Sequence, residues 1–455
     1  MEKTIAAIST APAPGGIGIV RISGGEAFAV AEKVFRGVSG KKVSQMKGYT
    51  AQLGGAYTPG GEKLDDVVAL VYRGPKSYTG EDVVELSCHG GLYMTKRLLQ
   101  LVLDAGAAPA GPGEFTRRAF LNGKMDLAQA EAVMGLISAS GEQARKAALA
   151  GSTGVLSRKI ESIKQGLLEQ AAHLAAWADF PEEDVPQVEE AALLEGIRQG
   201  EKALEELLQG FDRGRMYREG LVTVIAGRPN AGKSTLMNLL SGCQRSIVTQ
   251  YAGTTRDVVE ETVMVAGVPL RLADTAGIRD TDDPVESIGV QAARQRLETA
   301  QLVLAVFDSS QALEKEDWEL MDALEKVPAI AIVNKSDLPT RMDVEAIQGR
   351  FEKTVSLSAA TGEGLAALEQ ALSEILDTKD FYPQEGVLFT QRQRMDAQTA
   401  LDSLREGEQA LALGLTLDAV TVCVEDALHA LAALTGEQVS EEIVDRVFEE
   451  FCVGK

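Results

Sequence analysis

Cysteine is scarce in this sequence of 455 residues, and no two cysteines have the spacing of a metal-binding pair. This pattern argues against a disulfide framework or a zinc site and favours a reducing compartment. Long apolar runs are also missing, so no segment is predicted to span a bilayer, and the first residues do not resemble a signal peptide. We therefore expect a cytoplasmic protein without membrane association. The four cysteines are Cys88, Cys243, Cys423 and Cys452.

Basic residues are few as well. Lysine and arginine number 45 against 67 acidic residues, which gives a formal net charge of −22. Such a chain should repel nucleic acid as a whole, so any RNA contact must come from a local patch or from a partner protein. The length predicts two or three domains.

One stretch of eight residues predicts a phosphate-binding loop. It runs from Gly227 to Ser234 with the sequence GRPNAGKS, between an apolar strand-like run, Leu221 to Ala226, and an apolar helix start. The glycines let backbone N–H groups surround phosphates, and a helix N-terminus favours the anion. In this arrangement Lys233 reaches the outer phosphates, and the hydroxyl of Ser234 binds Mg²⁺.

Four further elements follow in the order that a GTP-binding module requires. A polar loop offers a threonine for Mg²⁺, and the strand Pro269 to Ala273 delivers the segment DTAG, with an acidic residue for the metal shell and a glycine that senses the γ-phosphate. After the strand Ala329 to Val333, Asp337 can accept from both guanine N1–H and the exocyclic amine, a donor pair that adenine lacks. The segment Ser356 to Ala359 offers backbone contacts to the base.

These elements predict one set of GTP contacts. They are Asn230, Ala231, Gly232, Lys233, Ser234, Thr235, Thr249, Gln250, Tyr251, Ala252, Gly253, Thr254, Thr255, Asp274, Thr275, Ala276, Gly277, Asn334, Lys335, Asp337, Ser358, Ala359 and Ala360.

The catalytic group is less obvious from the pattern. Regulatory GTPases orient the attacking water with a glutamine after the switch glycine, but Ile278 occupies that position here and cannot hydrogen-bond. Among the acidic residues that follow, Glu286 begins a helical pattern and is the best placed to be held rigidly. The amide oxygen of Asn230, together with the loop from Thr249 to Thr254, could bind a monovalent cation in the position of an arginine finger.

The regions on either side of the nucleotide module have different sequence patterns. Residues up to Phe120 alternate short β-rich runs with glycine and proline loops, which predicts an α+β domain. Arg21 and Glu85 lie inside apolar strand runs, where a charge requires a partner or a ligand. The predicted strands are Ile5 to Ile8, Gly18 to Ile22, Val67 to Tyr72 and Val83 to Ser87.

Helical patterns stand on both sides of the nucleotide module. Apolar residues at helical spacing precede the module, and the same pattern occurs again after Phe381. Ser440 is predicted to be the N-cap of a last helix. The economical interpretation is that the two blocks pack on each other, so that the module is an insertion in a helical domain; the alternative is two independent helical appendages. The first two stripes are Leu156, Ile160, Ile163 and Leu167, and Leu193, Ile197, Leu204, Leu208 and Phe211.

Together these residues resemble the MnmE family, also called TrmE, of tRNA wobble-uridine modification GTPases. The resemblance covers the whole chain and includes the phosphate-binding loop, the segments GTTRD from Gly253 and DTAG from Asp274, and the block GKMDLAQAEA from Gly123. The most specific signal is the terminal sequence FCVGK, from Phe451 to Lys455.

The resemblance implies a fold and a set of site residues. The fold is multidomain, α+β and α/β: an N-terminal folate-binding and dimerisation domain (1–120), a helical domain in two parts (121–218 and 379–455) and an inserted Ras-like P-loop GTPase domain (219–378). It assigns 5-formyltetrahydrofolate to Arg21, Glu85, Lys124 and Lys455, and K⁺ to Asn230, Thr249, Tyr251 and Thr254. It also assigns Mg²⁺ to Ser234 and Thr255, and catalytic roles to Glu286 and Cys452.

The family also implies partners and a reaction. A homodimer would work in a heterotetramer with an MnmG-type flavoprotein that supplies FAD, and would install a 5-carboxymethylaminomethyl or aminomethyl group on the wobble uridine of certain tRNAs. The alternative is a ribosome-assembly GTPase that binds rRNA. Such a protein is expected to carry a basic RNA-binding module, but the sequence after Phe381 has neither a KH-type loop nor an excess of basic residues. A folate enzyme with a vestigial switch is disfavoured because every nucleotide motif is intact.

Overall fold

The computed structural model describes residues 3–179, 190–243, 261–272, 300–376, 385–449 and 451–455. The chain divides into two compact units, one formed by residues 1–134 and 425–455 and the other by residues 135–424. Within the described ranges, no helix has the length and apolar character needed to cross a membrane.

The strands of the described ranges form two sheets. In chain order they are β1 (Ile5–Ile8), β2 (Ile17–Ser23), β3 (Phe35–Gly37), β4 (Thr50–Tyr57), β5 (Lys63–Tyr72), β6 (Val83–His89), β7 (Ala108–Pro109), β8 (Leu221–Ala226), β9 (Glu261–Val265), β10 (Val268–Leu272), β11 (Leu302–Asp308), β12 (Ala329–Asn334) and β13 (Lys353–Ser356). All four strands that the sequence predicts in the first 120 residues are present, which confirms the α+β interpretation of that region.

The helices of the described ranges are numbered in the same way. They are α1 (Ala27–Val34), α2 (Leu92–Asp104), α3 (Glu114–Leu121), α4 (Leu127–Ser138), α5 (Glu142–Ser152), α6 (Val155–Asp179), α7 (Glu190–Glu219), α8 (Lys233–Cys243), α9 (Lys315–Ala323), α10 (Val344–Gln348), α11 (Leu365–Ile375), α12 (Gln391–Ala412), α13 (Leu417–Thr435) and α14 (Glu441–Glu449).

The first unit is built on a seven-stranded sheet in the order β3-β4-β5-β6-β2-β1-β7. Its pairs are antiparallel except β1 with β7. Helices α1 and α2 bury their apolar residues against Val20, Ile22 and Leu86. Since side chains alternate along a strand, the neighbours of these residues, Arg21 and Glu85, point to the other face of the sheet.

Helix α14 belongs to the same unit. Its Val444 and Phe448 share a core with Leu127 and Ala130 of α4. The backbone N–H of Ile443 donates to Oγ of Ser440 at 3.4 Å, so the predicted N-cap is confirmed. The end of the chain is thereby held against residues that precede it by more than 300 positions.

The second unit contains a six-stranded sheet in the order β13-β12-β11-β8-β10-β9. All pairs are parallel except β10 with β9. Every residue of the central strand β11 is buried, as expected for a parallel sheet covered on both faces. The carboxyl ends of parallel strands meet at one edge, which is where ligands bind in sheets of this kind.

The second unit also contains the long helices α6, α7 and α12. Helices α7 and α12 pack against each other and exchange two ion pairs, from Arg198 to Glu408 at 2.8 Å and from Arg405 to Glu205 at 2.6 Å. The predicted apolar stripe of α7 is right except at one position. Its buried residues are Leu193, Ile197, Gly200, Leu204, Leu207 and Phe211, whereas Leu208 is half-buried, because the stripe alternates steps of four and three residues.

Candidate functional site

The loop between β8 and α8 has the backbone of a phosphate-binding loop. The φ angle is 154° at Gly227 and 99° at Gly232. A Cβ at Gly227 would lie 2.3 Å from the carbonyl oxygen of Val306, and a Cβ at Gly232 would lie 2.1 Å from Nδ2 of Asn334. No side chain fits at either position, so glycine is required for the loop to curve as tightly as it does.

The residues that begin α8 have the chemistry that phosphates and Mg²⁺ need. Nζ of Lys233 donates to the carbonyl oxygens of Gly227 and Arg228, at 2.8 Å each. Ser234 and Thr235 are exposed in the first turn of the helix, where unpaired N–H groups and the helix dipole favour an anion. The loop therefore offers a cation, a hydroxyl and a positive helix end at one place.

Asn334 joins this loop to the segment that follows β13. It is 2% exposed, its Nδ2 donates to the carbonyl oxygen of Ala231 at 2.8 Å, and its Oδ1 accepts from the N–H of Ala359 at 2.9 Å. Ser358 is fully buried, and its Oγ donates to Oδ1 of Asp337 at 2.6 Å. The structure thus brings the predicted phosphate contacts and the predicted base contacts together at the carboxyl edge of the sheet.

Lys335 is held in place by an acidic residue at the end of β11. Its φ is 61°, and its Nζ lies 2.6 Å from Oδ2 of Asp308. The N–H and hydroxyl of Ser310 donate to the other oxygen of Asp308, at 2.9 and 2.6 Å. Burial raises the pKa of the Asp308 carboxyl, but these bonds outweigh it and hold that pKa below its ordinary value. Asp308 is therefore an ionised anchor for Lys335 and the segment that follows β12.

Arg228 is a feature of the loop to which the sequence reasoning gave no role. Its guanidinium contacts Asp317 at 2.8 Å and Glu314 at 2.7 Å, and the Asp317 side chain is 3% exposed. Asp317 also accepts from the N–H of Glu314 at 3.0 Å, so the pair closes the first turn of α9. The only signal in the sequence is an arginine at the second loop position, and its partners lie about 90 residues further along the chain.

Much of the predicted switch machinery lies outside the described residues. This applies to Thr249, Gln250, Tyr251, Ala252, Gly253, Thr254, Thr255, Asp274, Thr275, Ala276, Gly277, Ile278 and Glu286. Their roles in binding GTP, Mg²⁺ and K⁺ and in orienting water therefore stay predictions.

A second candidate site lies in the first unit, on the face of the sheet opposite α1 and α2. It is a cavity of about 220 Å³, which we call the Arg21 cavity. Arg21 and Glu85 face each other across β2 and β6, with 2.8 Å between Nη2 and Oε1, so the two charges in apolar strands are each other's partner. The cavity is lined by Arg21, Tyr72, Tyr78, Val83, Glu85, Val133 and Lys455.

Two tyrosines that the sequence reasoning did not select also line this cavity. The hydroxyl of Tyr72 donates to Oε2 of Glu85 at 3.4 Å, and that of Tyr78 lies 2.9 Å from Oγ1 of Thr116. Burial raises the pKa of the Tyr78 phenol, so it is neutral over the physiological range. Of the four folate residues expected from the resemblance, three line the cavity. Lys124 does not; its Nζ donates to the carbonyl oxygen of Pro75 at 3.0 Å.

The last residues of the chain are fixed beside the Arg21 cavity. The N–H of Gly113 donates to the carbonyl oxygen of Cys452 at 3.3 Å, and the N–H of Phe115 donates to Lys455 O at 3.1 Å. Gly454 has φ of 96°, and a Cβ there would lie 2.2 Å from the carbonyl oxygen of Ile8. The backbone of this segment thereby brings the side chain of Lys455 to the cavity wall.

Arg118 is the centre of a buried, charged cluster in the first unit. Arg118 is 4% exposed, and its guanidinium contacts Glu81 at 3.1 Å, Glu114 at 2.9 Å and the carbonyl oxygen of Lys3 at 2.8 Å. Ser23 donates to the same Glu81 at 2.6 Å. These hydrogen bonds give the buried guanidinium its partners and connect the loops around α3.

Comparison with known proteins identifies the family. Residues 4–124 match the family model of the GTP-binding protein TrmE N-terminus, and residues 127–452 match that of the MnmE helical domain. The tRNA modification GTPase MnmE of Symbiobacterium thermophilum is 45% identical over 457 residues, with 100% of both chains covered. That of Alkaliphilus oremlandii is 42% identical over 459 residues, again with 100% of both chains covered. The chain therefore belongs to the MnmE family of tRNA modification GTPases.

Proposed function

We propose that this protein hydrolyses GTP and uses the cycle to drive modification of the wobble uridine in certain tRNAs. The observation that carries the proposal is the pair of hydrogen bonds made by the Asn334 side chain. They hold the phosphate-binding loop and the segment from Ser356 to Ala359 in one site. The relatives in Symbiobacterium thermophilum and Alkaliphilus oremlandii are both named as tRNA modification GTPases. A carboxylate at Asp337, oriented by Ser358, gives the guanine preference.

Two metal ions serve the GTP site in this proposal. Ser234, exposed at the start of α8, and Thr255 hold Mg²⁺, which neutralises charge on the phosphates. Asn230 is exposed, and its amide oxygen would hold K⁺ together with Thr249, Tyr251 and Thr254. Glu286 orients the attacking water, because Ile278 cannot.

A folate supplies the one-carbon unit. The Arg21 cavity offers a carboxylate, a guanidinium and an ammonium around a floor that contains two tyrosine rings, which is suited to a polar planar ring such as that of 5-formyltetrahydrofolate. Its volume of about 220 Å³ is smaller than usual for a whole drug-sized ligand, so the remainder of the folate would extend beyond it. Lys124 would contact that outer part, since it lies outside the cavity.

The remaining parts of the proposal concern partners and product. A homodimer acts in the cytoplasm with an MnmG-type flavoprotein that contributes FAD, and the product carries a 5-carboxymethylaminomethyl or aminomethyl group. Cys452 takes part in the modification step and not in GTP hydrolysis. Its backbone is anchored next to the cavity that would hold the folate.

The most direct test is mass analysis of wobble nucleosides in cells that lack this protein. We expect the modified uridine to disappear and to return when the full chain is restored. Unchanged nucleosides together with accumulated ribosome precursors would instead identify the ribosome-assembly alternative. Replacing Cys452 by serine should leave GTP hydrolysis intact while the modification is lost.

The cation site has its own test. Because the amide oxygen of Asn230 would coordinate K⁺, hydrolysis by the purified protein should be much faster in K⁺ than in Na⁺ at equal ionic strength. Asn230→Ala should remove that difference while Mg²⁺ dependence persists. Equal rates in the two salts for the unaltered protein would exclude the cation site.

A further inference from the structure

The charge of the chain is distributed very unevenly. Residues 1–124 carry 15 lysines and arginines against 11 acidic residues, whereas the remaining residues carry 30 against 56. Between Lys33 and Lys47 there are five basic residues and no acidic one. An acidic protein that handles RNA needs a local positive surface, and residues 1–124, which make up most of the first unit, are the part of the chain with an excess of positive charge.

Four lysines of this unit form one exposed group, which we call the lysine patch. They are Lys41, Lys42 and Lys47, from the segment between β3 and β4, and Lys76, from the turn after β5; all four are exposed. Nε of Arg73 donates to the carbonyl oxygen of Met46 at 3.0 Å, which fastens the turn to the segment. The hydroxyl of Tyr49 donates to the carbonyl oxygen of Lys76 at 2.8 Å and makes a second link.

The positive charge of the patch is largely uncompensated. Within the part of the chain that the structure describes, Lys41, Lys47 and Lys76 form no ion pair. Two carboxylates are close by: Glu32, which accepts from the N–H of Ser44 at 2.8 Å and faces Lys42, and Asp82, which accepts from the N–H of Gly74 at 3.0 Å. Each of the two accepts a backbone N–H, and the four ammonium groups outnumber them two to one.

An exposed aromatic ring lies at the edge of the patch. Tyr49 is 64% exposed, yet its hydroxyl is fixed to Lys76 and its ring meets the ring of Tyr72 edge to face, with centroids 5.5 Å apart. Tyr72 in turn lines the Arg21 cavity. A rigid, exposed ring among lysines is the combination that proteins use to bind single-stranded nucleic acid, because any base can stack on the ring while the ammonium groups contact phosphates.

We propose that the lysine patch and Tyr49 bind the anticodon loop of the tRNA. The lysines contact the backbone phosphates, and a base of the loop stacks on Tyr49, next to the cavity where the one-carbon chemistry is proposed. The single-stranded loop is the part of a tRNA whose bases are free to stack on a protein side chain. This assignment rests on the proposed function and adds to it the surface that receives the substrate.

The test compares binding of a labelled tRNA transcript with wobble uridine by full-length variants. Lys42→Gln with Lys76→Gln should weaken binding about tenfold or more at physiological salt and reduce the slope of log affinity against log salt by roughly 2, as expected for two lost phosphate contacts. Tyr49→Ala should weaken binding about fivefold or more, the loss expected when base stacking is removed. Tyr49→Phe keeps the ring and should bind almost as well as the unaltered chain.

Matched controls separate this proposal from a change in fold or in overall charge. Lys96→Gln with Arg97→Gln removes the same two charges as the double lysine variant, from exposed positions on α2 in the same unit, and should leave tRNA affinity unchanged. The GTP hydrolysis rate, measured on every variant, should stay the same because the nucleotide site lies in the other compact unit. Equal losses of tRNA affinity for the α2 double variant and the double lysine variant of the patch would show a nonspecific charge effect and overturn the proposal.

Further outcomes distinguish the patch from the proposed function. If the unaltered chain fails to bind tRNA even at low salt, or the patch variants bind and modify tRNA normally, the surface is wrongly assigned. If the variants instead change the association of subunits in sedimentation while tRNA affinity is constant, the patch is a protein interface. If deletion of the whole protein leaves wobble nucleosides unchanged, the proposed function itself fails, irrespective of the binding result.

Discussion

At the scale of single residues, Arg228 connects the phosphate loop to α9. Its guanidinium bonds to Asp317, whose side chain is 3% exposed, so the arginine provides the opposite charge that a buried carboxylate needs. Arg228 belongs to the phosphate-binding loop, whose carbonyl groups at Gly227 and Arg228 accept hydrogen bonds from Lys233. We infer that Arg228 holds the phosphate-binding loop in place through its contacts with Asp317 and Glu314.

This gives a prediction with an internal control. Arg228→Ala should lower the free energy of unfolding by about 3 kcal/mol, because it leaves Asp317 buried and unpaired. The double variant Arg228→Ala, Asp317→Ala should be less destabilised than the single variant, because it leaves no buried carboxylate without a partner of opposite charge. Urea denaturation of the three proteins measures the difference, and a double variant that is less stable than Arg228→Ala would contradict the interpretation.

Asp308 gives a pH-dependent prediction at the same scale. Its pKa is held below the ordinary value in the folded state, so its contribution to stability is present above the unfolded pKa of about 3.9 and is lost as pH falls through the folded pKa. Asp308→Asn should therefore be less stable than the unaltered protein at neutral pH, and the gap should narrow below about pH 4. Urea unfolding at pH 7 and pH 3.5 measures both gaps; a gap that is constant with pH would refute the role given to the carboxylate.

At the scale of elements, α7 provides a test of helix register. Leu207 is 1% exposed and belongs to the buried stripe, whereas the neighbouring Leu208, which the sequence pattern selects, is half-buried. Leu207→Ala should cost about 2 to 5 kcal/mol, the usual loss for a buried leucine, and Leu208→Ala clearly less. The two variants remove the same side chain at neighbouring positions of the helix. If denaturation curves show that Leu208→Ala lowers the free energy of unfolding more than Leu207→Ala, the buried stripe is the one predicted from sequence.

What the sequence could predict at this scale is local. The strand before Gly227, the helix after it and the Ser440 cap are set by residues within one or two turns, and all are present. The sheet order of the first unit could not be predicted, because it depends on pairs such as Arg21 with Glu85 that are 64 residues apart. For the same reason the partners of Arg228 and the placement of Lys124 outside the cavity were missed. Glu286 and the segment from Thr249 to Thr255 stay predictions.

At the scale of the whole molecule, the two ends of the chain meet in one compact unit. The last five residues bond to the first 120 residues: Oγ of Ser9 donates to the carbonyl oxygen of Gly454 at 3.1 Å, and Val453 pairs with Pro112. The cavity in the first unit therefore includes Lys455, from the end of the chain, as well as residues of the amino-terminal sheet. Correct placement of this segment should matter for the chemistry of the cavity and not for GTP hydrolysis.

Gly454 allows that separation to be tested. Gly454→Ala adds a Cβ 2.2 Å from the carbonyl oxygen of Ile8 at a φ of 96°, so the segment must leave its place, and Lys455 with it. We expect wobble modification to fall strongly while GTP hydrolysis is retained. Gly414→Ala is the matched control, because its φ of 67° carries the same kind of backbone strain but nothing lies within 4 Å of the new Cβ. If both variants modify tRNA equally well, the position of the last residues is not required for the reaction.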